Sequence, residues 1–315
     1  MKVTILVPKS EFTNQQQNGL AKLGEIVYSD SRLEYTNEEL VKLCVGSEIL
    51  APDPDNLGGF EKASENLTRL MTTLPKLKGL ALSTTSYGWI DFDYCKKHNI
   101  SVSNIPGYSR EAVAEHTFAL LLCLAKRIII SDRQTRGGKY KLEMGLELKD
   151  KTLGIIGIGN IGSRVAELAH AVGMKVIAYN HSPKKYRNVE MKSLNEVLIN
   201  SDAITIHTTH TKENEGFIGK NEISKLKNGV IIVNTADRTI VDEKVLATAL
   251  KLKKIYGYAY EGEDLTHGPL ANIENAVGIR GFGWYTKESM QRLMEIWIGN
   301  IKALVAKKPT NTVSS

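Results

Sequence analysis

The sequence predicts an α/β protein built as two Rossmann-like, doubly wound parallel-sheet domains. Three observations predict it. Short apolar runs alternate with helix-period stretches along most of the chain, the pattern of a parallel sheet covered on both faces. The stretch Lys151 to Asn180 reads as strand, glycine-rich turn, helix and strand in one unit. The alternation runs on both sides of that unit, and Gly137-Gly138 breaks the chain just before it.

The elements follow in order. Val3 to Val7 and Glu25 to Tyr28 read as strands. Asn37 to Leu43 reads as a helix, with Thr36 as N-cap and Glu39 three residues on as the other half of a capping box. Glu48 to Ala51 is a short strand ended by Pro52, Leu67 to Leu74 a helix closed by Pro75, and Gly79 to Ser83 a strand. Phe92 to His98 is helical and Ile100 to Asn104 a strand. Glu111 to Ser131 reads as one long helix, apolar nearly all round and therefore buried on most sides. Beyond Asn180 the expected strands are Ala203 to His207, Val230 to Asn234, Ile255 to Tyr260 and Ala276 to Ile279. Leu194 to Leu198, Asn221 to Leu226 and Asp242 to Leu252 are the expected helices, and Thr286 to Ala306 closes the chain as another. Residues 1–103 with 285–315 are expected to form one domain and residues 104–284 the other.

Composition narrows the function. The chain has 315 residues, of which 42% are hydrophobic and 24% charged, so it can bury a sizeable core. The net charge of +6 comes from lysines spread along the chain. No basic stripe interleaved with aromatics appears, which argues against nucleic-acid binding. Cys44, Cys95 and Cys123 form no CxxC pair, which points to reduced thiols in the cytoplasm and no zinc site. The apolar part of MKVTILVPKS is too short for a signal peptide. Ala112 to Ile130 contains Glu115, His116, Lys126 and Arg127, so it is read as a buried helix and not a membrane span.

The glycine-rich turn carries the first functional reading. Gly157-Ile158-Gly159-Asn160-Ile161-Gly162 follows the apolar run Leu153 to Ile158 and opens a helix. The first glycine allows a tight turn, the second lets backbone approach a pyrophosphate, and the third lets helix and strand pack closely. The helix N-terminus adds N–H groups and a partial positive charge. This is a dinucleotide-binding pattern in the setting that supports it. The end of the second strand chooses between cofactors. An acidic residue there holds the ribose 2′-OH of NAD, and a basic one accommodates the 2′-phosphate of NADP. Here stand Asn180, His181 and Ser182, with Lys184 and Lys185 beyond. Ser182 can donate a hydrogen bond and the lysines supply charge, so NADP(H) is favoured over NAD(H).

Three stretches make the chain resemble the D-2-hydroxyacid dehydrogenase family, which includes phosphoglycerate dehydrogenase and glyoxylate/hydroxypyruvate reductase. They are NIPGYSREAVAEHTFALLL from Asn104, LKDKTLGIIGIGNIGSRVAELAHAVGMKVIAYN up to Asn180, and NGVIIVNTADRTIVDEKVLATAL from Asn228. The resemblance implies an active site in the cleft between two Rossmann-like domains, hydride transfer between a nicotinamide and a small-molecule substrate, and a homodimer built on the cofactor domain. The cofactor set expected on that basis is Gly157, Gly159, Asn160, Ile161, Gly162, Asn180, His181, Ser182, Lys184, His207, Thr208, Thr235, Ala236 and Glu261.

The resemblance also implies an arginine for the substrate carboxylate, a histidine that passes the proton, and a glutamate that holds the histidine. The matching positions depart from this. In Asn234-Thr235-Ala236-Asp237-Arg238, Asp237 holds the arginine's place and Arg238 the place of a glycine; Gly281 stands where the histidine belongs. The glutamate falls in a stretch that starts at Tyr260-Glu261-Gly262-Glu263-Asp264, where the direct match is Thr266. Ser83 to Gly88 replaces a more glycine-rich substrate loop. A missing general acid typically costs about 10²- to 10⁴-fold, and an aspartate repels a carboxylate. Two readings follow. In the first, the chain is an oxidoreductase acting on a small carbonyl substrate with an altered site, drawn from Asp237, Arg238, Arg280, His267, Tyr258, Tyr260 and the carboxylates Glu261, Glu263 and Asp264. His267 reads first as part of a turn, and His116 as a structural histidine. In the second, the chain binds the cofactor without turnover, as a sensor or scaffold.

Overall fold

A computed structural model of the chain describes residues 1–182, 184–263 and 265–314. These fall into two units, Met1–Tyr108 with Lys287–Ser315, and Ser109–Thr286.

The first unit alternates strand and helix. Its strands are β1 (Lys2–Pro8), β2 (Glu25–Ser29), β3 (Ile49–Ala51), β4 (Gly79–Ala81) and β5 (Ser101–Ser103). Its helices are α1 (Asn14–Ala21), α2 (Asn37–Cys44), α3 (Phe60–Thr72) and α4 (Phe92–Lys97), joined at the end of the chain by α11 (Lys287–Val305). The strands form a parallel sheet in the order β2-β1-β3-β4-β5. Thr36 and Glu39 close the expected capping box on α2. α1 was not expected: only Leu20 of its eight residues is buried, and a second capping box, Thr13 with Gln16, holds its start. The carboxyl-terminal helix α11 returns to this sheet. Its Trp297 is 1% exposed and donates from Nε1 to the carbonyl of Ala81 at 2.7 Å. That bond satisfies the indole N–H inside the core.

The second unit carries α5 (Arg110–Ala125), α6 (Ile128–Arg136), β6 (Thr152–Ile156), α7 (Asn160–Ala171), β7 (Lys175–Tyr179), β8 (Glu190–Met191), α8 (Leu194–Asn200), β9 (Ala203–Ile206), α9 (Lys220–Lys225), β10 (Val230–Asn234), α10 (Glu243–Lys251), β11 (Ile255–Glu261) and β12 (Ala276–Ile279). All seven strands are parallel, in the order β12-β11-β10-β9-β6-β7-β8. Successive strand residues feed opposite faces, as the period-two geometry requires. Ile204, Ile206, Val230 and Ile232 join one core, while Ala203, Ile231 and Val233 join the other. The strand order reverses between β6 and β9, and ligands of open α/β sheets bind outside the carboxyl ends of the strands at such a point.

The expected long helix from Glu111 to Ser131 is two helices. Arg127 breaks it by adopting φ +58°, a left-handed conformation. Such a conformation costs a non-glycine residue about 1–2 kcal/mol. The Arg127 guanidinium lies 5.0 Å over the ring of Tyr256 and pairs with Glu143 at 3.2 Å, contacts that hold the break in place. α5 packs on α7, β10 and β11, which accounts for its apolar circumference.

Candidate active site

The glycine-rich turn leaves β6 at the reversal point. Gly157 has φ +94°, and a Cβ there would lie 2.8 Å from the carbonyl group of His207 and from the nitrogen of Thr208. The turn therefore lies against the end of β9, where only glycine fits. Gly162, in the first turn of α7, sits so close to the turn that a Cβ would fall 2.2 Å from the Gly157 oxygen. Gly159 differs: a Cβ there meets nothing within 4 Å, so bare backbone borders open space. As N-cap of α7, Gly159 brings no side chain to the N–H groups of the first turn.

A groove of about 720 Å³ lies beside this turn. Gly157, Gly159, Asn180, His181, Ser182, Lys184, His207 and Thr208 line it, with Tyr179, Thr209 and Phe217 among its other walls. Asn180 ties two of these walls together. Its Oδ1 accepts from the Ile158 nitrogen at 3.1 Å, and its Nδ2 donates to the Ser182 carbonyl at 2.7 Å. His207 is only half-buried as a residue, yet its Nε2 is enclosed and lacks a hydrogen-bond partner among the described residues. Burial pushes this imidazole down to about 3, so the groove holds a neutral histidine at physiological pH. An orphaned ring nitrogen, an uncapped helix start and a glycine cradle fit the phosphates and polar groups of a dinucleotide.

The other expected cofactor residues lie outside the groove lining. The Asn160 carbonyl accepts from Arg110 Nε at 3.1 Å, and Ile161 packs on the core behind the turn. Gly162 faces Gly157. Thr235 shares a 2.8 Å hydroxyl contact with the buried Thr117 of α5, and the Ala236 nitrogen donates to Asn234 Oδ1.

A second pocket, of about 980 Å³, opens at the carboxyl ends of β10, β11 and β12. Ala236, Asp237, Arg238, Glu261, Glu263, Gly281 and Trp284 line it, together with Asp242 and Glu243. Asp237, Glu261 and Gly281, far apart in sequence, thus share one cavity. His210, in the loop after β9 and between the groove residues Thr209 and Thr211, brings its Nδ1 to 3.9 Å from Asp237 Oδ2 of this pocket. Asp237 accepts from the Thr239 nitrogen at 2.9 Å and its hydroxyl at 2.6 Å. Partial burial pushes its carboxyl up, but the Thr239 hydrogen bonds, His210 and Arg238 outweigh that and hold it below the usual carboxylate range. Arg238 is a two-pronged partner of Glu243, at 2.7 and 2.9 Å, and lies 5.0 Å over the Tyr260 ring.

Other candidates are placed elsewhere. Tyr258 and Tyr260 stack on each other in the core, 0% and 2% exposed, and burial raises both hydroxyls above the ordinary tyrosine value. Their position is that of core side chains and not of proton donors. Arg280 is exposed and sits 3.7 Å from the equally exposed Glu263. His267 is exposed with its Nδ1 3.0 Å from the Thr266 hydroxyl. Neither Arg280 nor His267 lines either pocket. Asp264 lies outside the described residues. Sequence reasoning passed over Trp284, whose Nε1 donates to the Gly281 carbonyl at 3.2 Å; the aromatic run Phe282-Gly283-Trp284-Tyr285 was the available signal. It also passed over a contact of His116, whose Nε2 lies 3.3 Å from Glu261 Oε1.

Residues 118–279, just over half the chain, match the family described as D-isomer specific 2-hydroxyacid dehydrogenase, NAD binding domain. The chain belongs to this family. As a D-2-hydroxyacid dehydrogenase family member it is an oxidoreductase of the CH–OH/C=O class with a nicotinamide-dinucleotide domain. It is 35% identical over 286 residues to an aromatic 2-oxoacid reductase of Clostridium sporogenes, covering 83% of each chain. Among solved structures, an acyclic imino acid reductase in complex with NADPH and D-Arg superposes with a TM-score of 0.85, at 29% identity over 99% of this chain and 100% of that one. A D-lactate dehydrogenase from Aquifex aeolicus, complexed with NAD and lactic acid, superposes at 0.78, again with 29% identity, over 98% and 96%. Solved structures of this fold thus contain either nicotinamide cofactor. Among the described residues no three His, Cys, Asp or Glu side chains are grouped to hold a metal, and no helix is long and apolar enough to cross a membrane.

Proposed function

We propose that this dehydrogenase-family chain uses NADPH to reduce a small carbonyl compound, with catalytic groups other than the arginine, histidine and glutamate that the sequence resemblance implies. One observation carries the reading. The pocket lined by Asp237, Glu261 and Gly281 opens at the carboxyl end of the same sheet as the groove that fits a dinucleotide, and His210, flanked by groove residues, reaches its Asp237. When bound, the nicotinamide supplies the hydride. The chain supplies the rest. The glycine turn and the uncapped start of α7 hold the pyrophosphate. Ser182 and Lys184, with Asn180 in place of a carboxylate, receive the 2′-phosphate. The carboxylates of the second pocket orient the substrate. The relative whose complex contains NADPH supports the cofactor choice and adds C=N compounds to the substrates worth trying.

The test is oxidation of NADPH, with NADH in parallel, at high protein concentration against glyoxylate, hydroxypyruvate, pyruvate and a set of aldehydes, ketones and imines. The expected result is turnover of a carbonyl compound, with NADPH bound at least about tenfold more tightly than NADH, or about 1.4 kcal/mol. A preference for NADH sinks the cofactor assignment. Silence on every substrate, with cofactor binding confirmed, favours the sensor reading.

The same reading places the chain in the cytoplasm as a homodimer. Cys44, Cys95 and Cys123 are unpaired, as a reducing compartment keeps them. Tyr140, Leu142 and Met144 are 94%, 84% and 89% exposed at alternate positions of one segment of the cofactor unit, an apolar edge that a second copy would cover. Light scattering is expected to give a dimer mass, and the double substitution L142E/M144E a monomer. A monomer in the unaltered chain defeats this proposal.

A further inference from the structure

His116 and Glu261 come from α5 and from the end of β11, and they meet at 3.3 Å, an ion-pair distance without hydrogen-bond alignment. The surroundings are built to bring them together. Glu261 Oε1 also accepts from the backbone nitrogens of Phe282, at 3.1 Å, and Gly283, at 2.7 Å. The loop after β12 comes this near because residue 283 has no side chain. A Cβ there would lie 2.8 Å from His116 Cδ2 and 3.2 Å from Glu261 Oε1. The Phe282 ring closes the other side, tilted against the imidazole with centroids 5.5 Å apart. The two side chains are 17% and 12% exposed, and of the two it is Glu261 that lines the 980 Å³ pocket. The carboxyl stands in front and the imidazole behind. Two backbone donors converge on Oε1, with the imidazole nitrogen beside them, which leaves Oε2 as the oxygen that can carry a proton.

We propose that Glu261 hands the proton to the substrate heteroatom, and that His116 is the positioning residue that holds Glu261 and recharges it. This rests on the reductase reading above. It reverses the order implied by the sequence resemblance, in which a histidine faces the substrate and a glutamate stands behind. The step balances. Hydride brings two electrons and one hydrogen to the carbonyl carbon, and the C=O π pair moves to oxygen. That oxygen takes the proton of the Glu261 carboxyl group. The carboxylate left behind takes a proton from the His116 imidazolium, which solvent then reprotonates. One hydride and one proton are consumed per alcohol formed. The other charged groups that share its pocket are Asp237, Arg238 tied to Glu243, Asp242, Lys244, and the exposed Glu263, which has Arg280 at 3.7 Å.

Three full-length variants test this: E261Q, H116Q and G283A. The assay is steady-state reduction of whichever substrate the panel above reveals, with NADPH affinity followed by fluorescence. E261Q is expected to lower kcat about 10²- to 10⁴-fold. H116Q is expected to lower kcat about tenfold or more at unchanged KM, and to remove one limb of the pH profile. G283A keeps both groups but wedges a methyl between them, and should fall between the two. Long-range 1H–15N NMR gives a readout independent of turnover. The ring-nitrogen shifts of His116 should change in E261Q. Native turnover that E261Q retains within about threefold overturns the role of Glu261 and leaves the reductase reading standing. An H116Q enzyme with an unaltered pH profile, or His116 shifts unaltered in E261Q, overturns the role of His116. Absence of turnover by the native chain removes the reaction and both roles with it.

Discussion

Alanine at Gly162 is expected to weaken NADPH binding severely and to destabilise the protein, whereas alanine at Gly159 should cost affinity alone. The difference lies in what each new methyl meets. At Gly162 it would fall 2.2 Å from the Gly157 carbonyl oxygen, a backbone atom that cannot swing aside. Overpacking of this kind costs about 1–3 kcal/mol, and for a domain of this size each kcal/mol lowers Tm by about 2–4 °C. To relieve the clash, α7 must back away from the turn, which withdraws the N–H groups that would face the phosphates. A loss of about 100-fold or more in affinity, near 2.7 kcal/mol, is the expected scale. At Gly159 the methyl touches no protein atom within 4 Å, and the backbone there is extended, so folding should not register it. It would occupy the space where a pyrophosphate approaches. Calorimetric Tm and fluorescence titration on both variants decide the matter. If G159A binds NADPH like the native chain, the open space beside it is not the phosphate site.

The second large effect is expected from Asp237→Arg. The side chain at 237 borders the larger pocket, and an arginine there would place a guanidinium where the resemblance puts one. Hydrogen bonds to a charged group contribute about 1.5–3 kcal/mol. Against this stands the loss of the contacts from Asp237 to the Thr239 nitrogen and hydroxyl, a cap on the short helical turn Arg238–Ile240. Such caps are worth about 0.5–2 kcal/mol. The cap loss falls on stability and the new hydrogen bonds on binding, so the two are measured separately. Affinity for glyoxylate should rise at least about tenfold, with a small fall in Tm. Unchanged affinity would mean that position 237 does not face the substrate carboxylate, and that its register in the sequence match is wrong.

Much of the fold is legible in the sequence because its signals are local. The runs from Leu153 to Ile156 and from Val230 to Val233 are unbroken and apolar, as strands buried on both faces must be. Thr36 with Glu39 announces the start of α2 three residues apart. The glycine spacing at 157, 159 and 162 places a groove at the sheet's reversal point without reference to any distant residue. What escapes is decided elsewhere. α1 is nearly all polar and offers no periodicity to read. Arg127 looks like any residue of a long helix until Tyr256 and Glu143 arrive to hold it left-handed. The candidate site divides the same way. Asp237 and Gly281 stand out by mismatch against a familiar motif. The partnership of His116 with Glu261 exists only because α5 packs against β11 and a glycine lets the loop after β12 close over both. Tyr258 and Tyr260 illustrate the opposite error: chemistry suggested a proton donor, and packing makes them core.

The side chain of Asn180 joins the Ile158 nitrogen to the Ser182 carbonyl, and so fastens the glycine turn to the loop after β7, where the proposed reading seats the ribose. On that reading one residue is both structural rivet and selectivity position. An ancestor or descendant with the other cofactor preference could not reach it by exchanging an amide for an acid in isolation. The exchange would also remove the donor that pins the loop, and a second change would have to restore it. On the proposed cofactor reading, a change of preference at position 180 therefore alters the loop's anchorage at the same time.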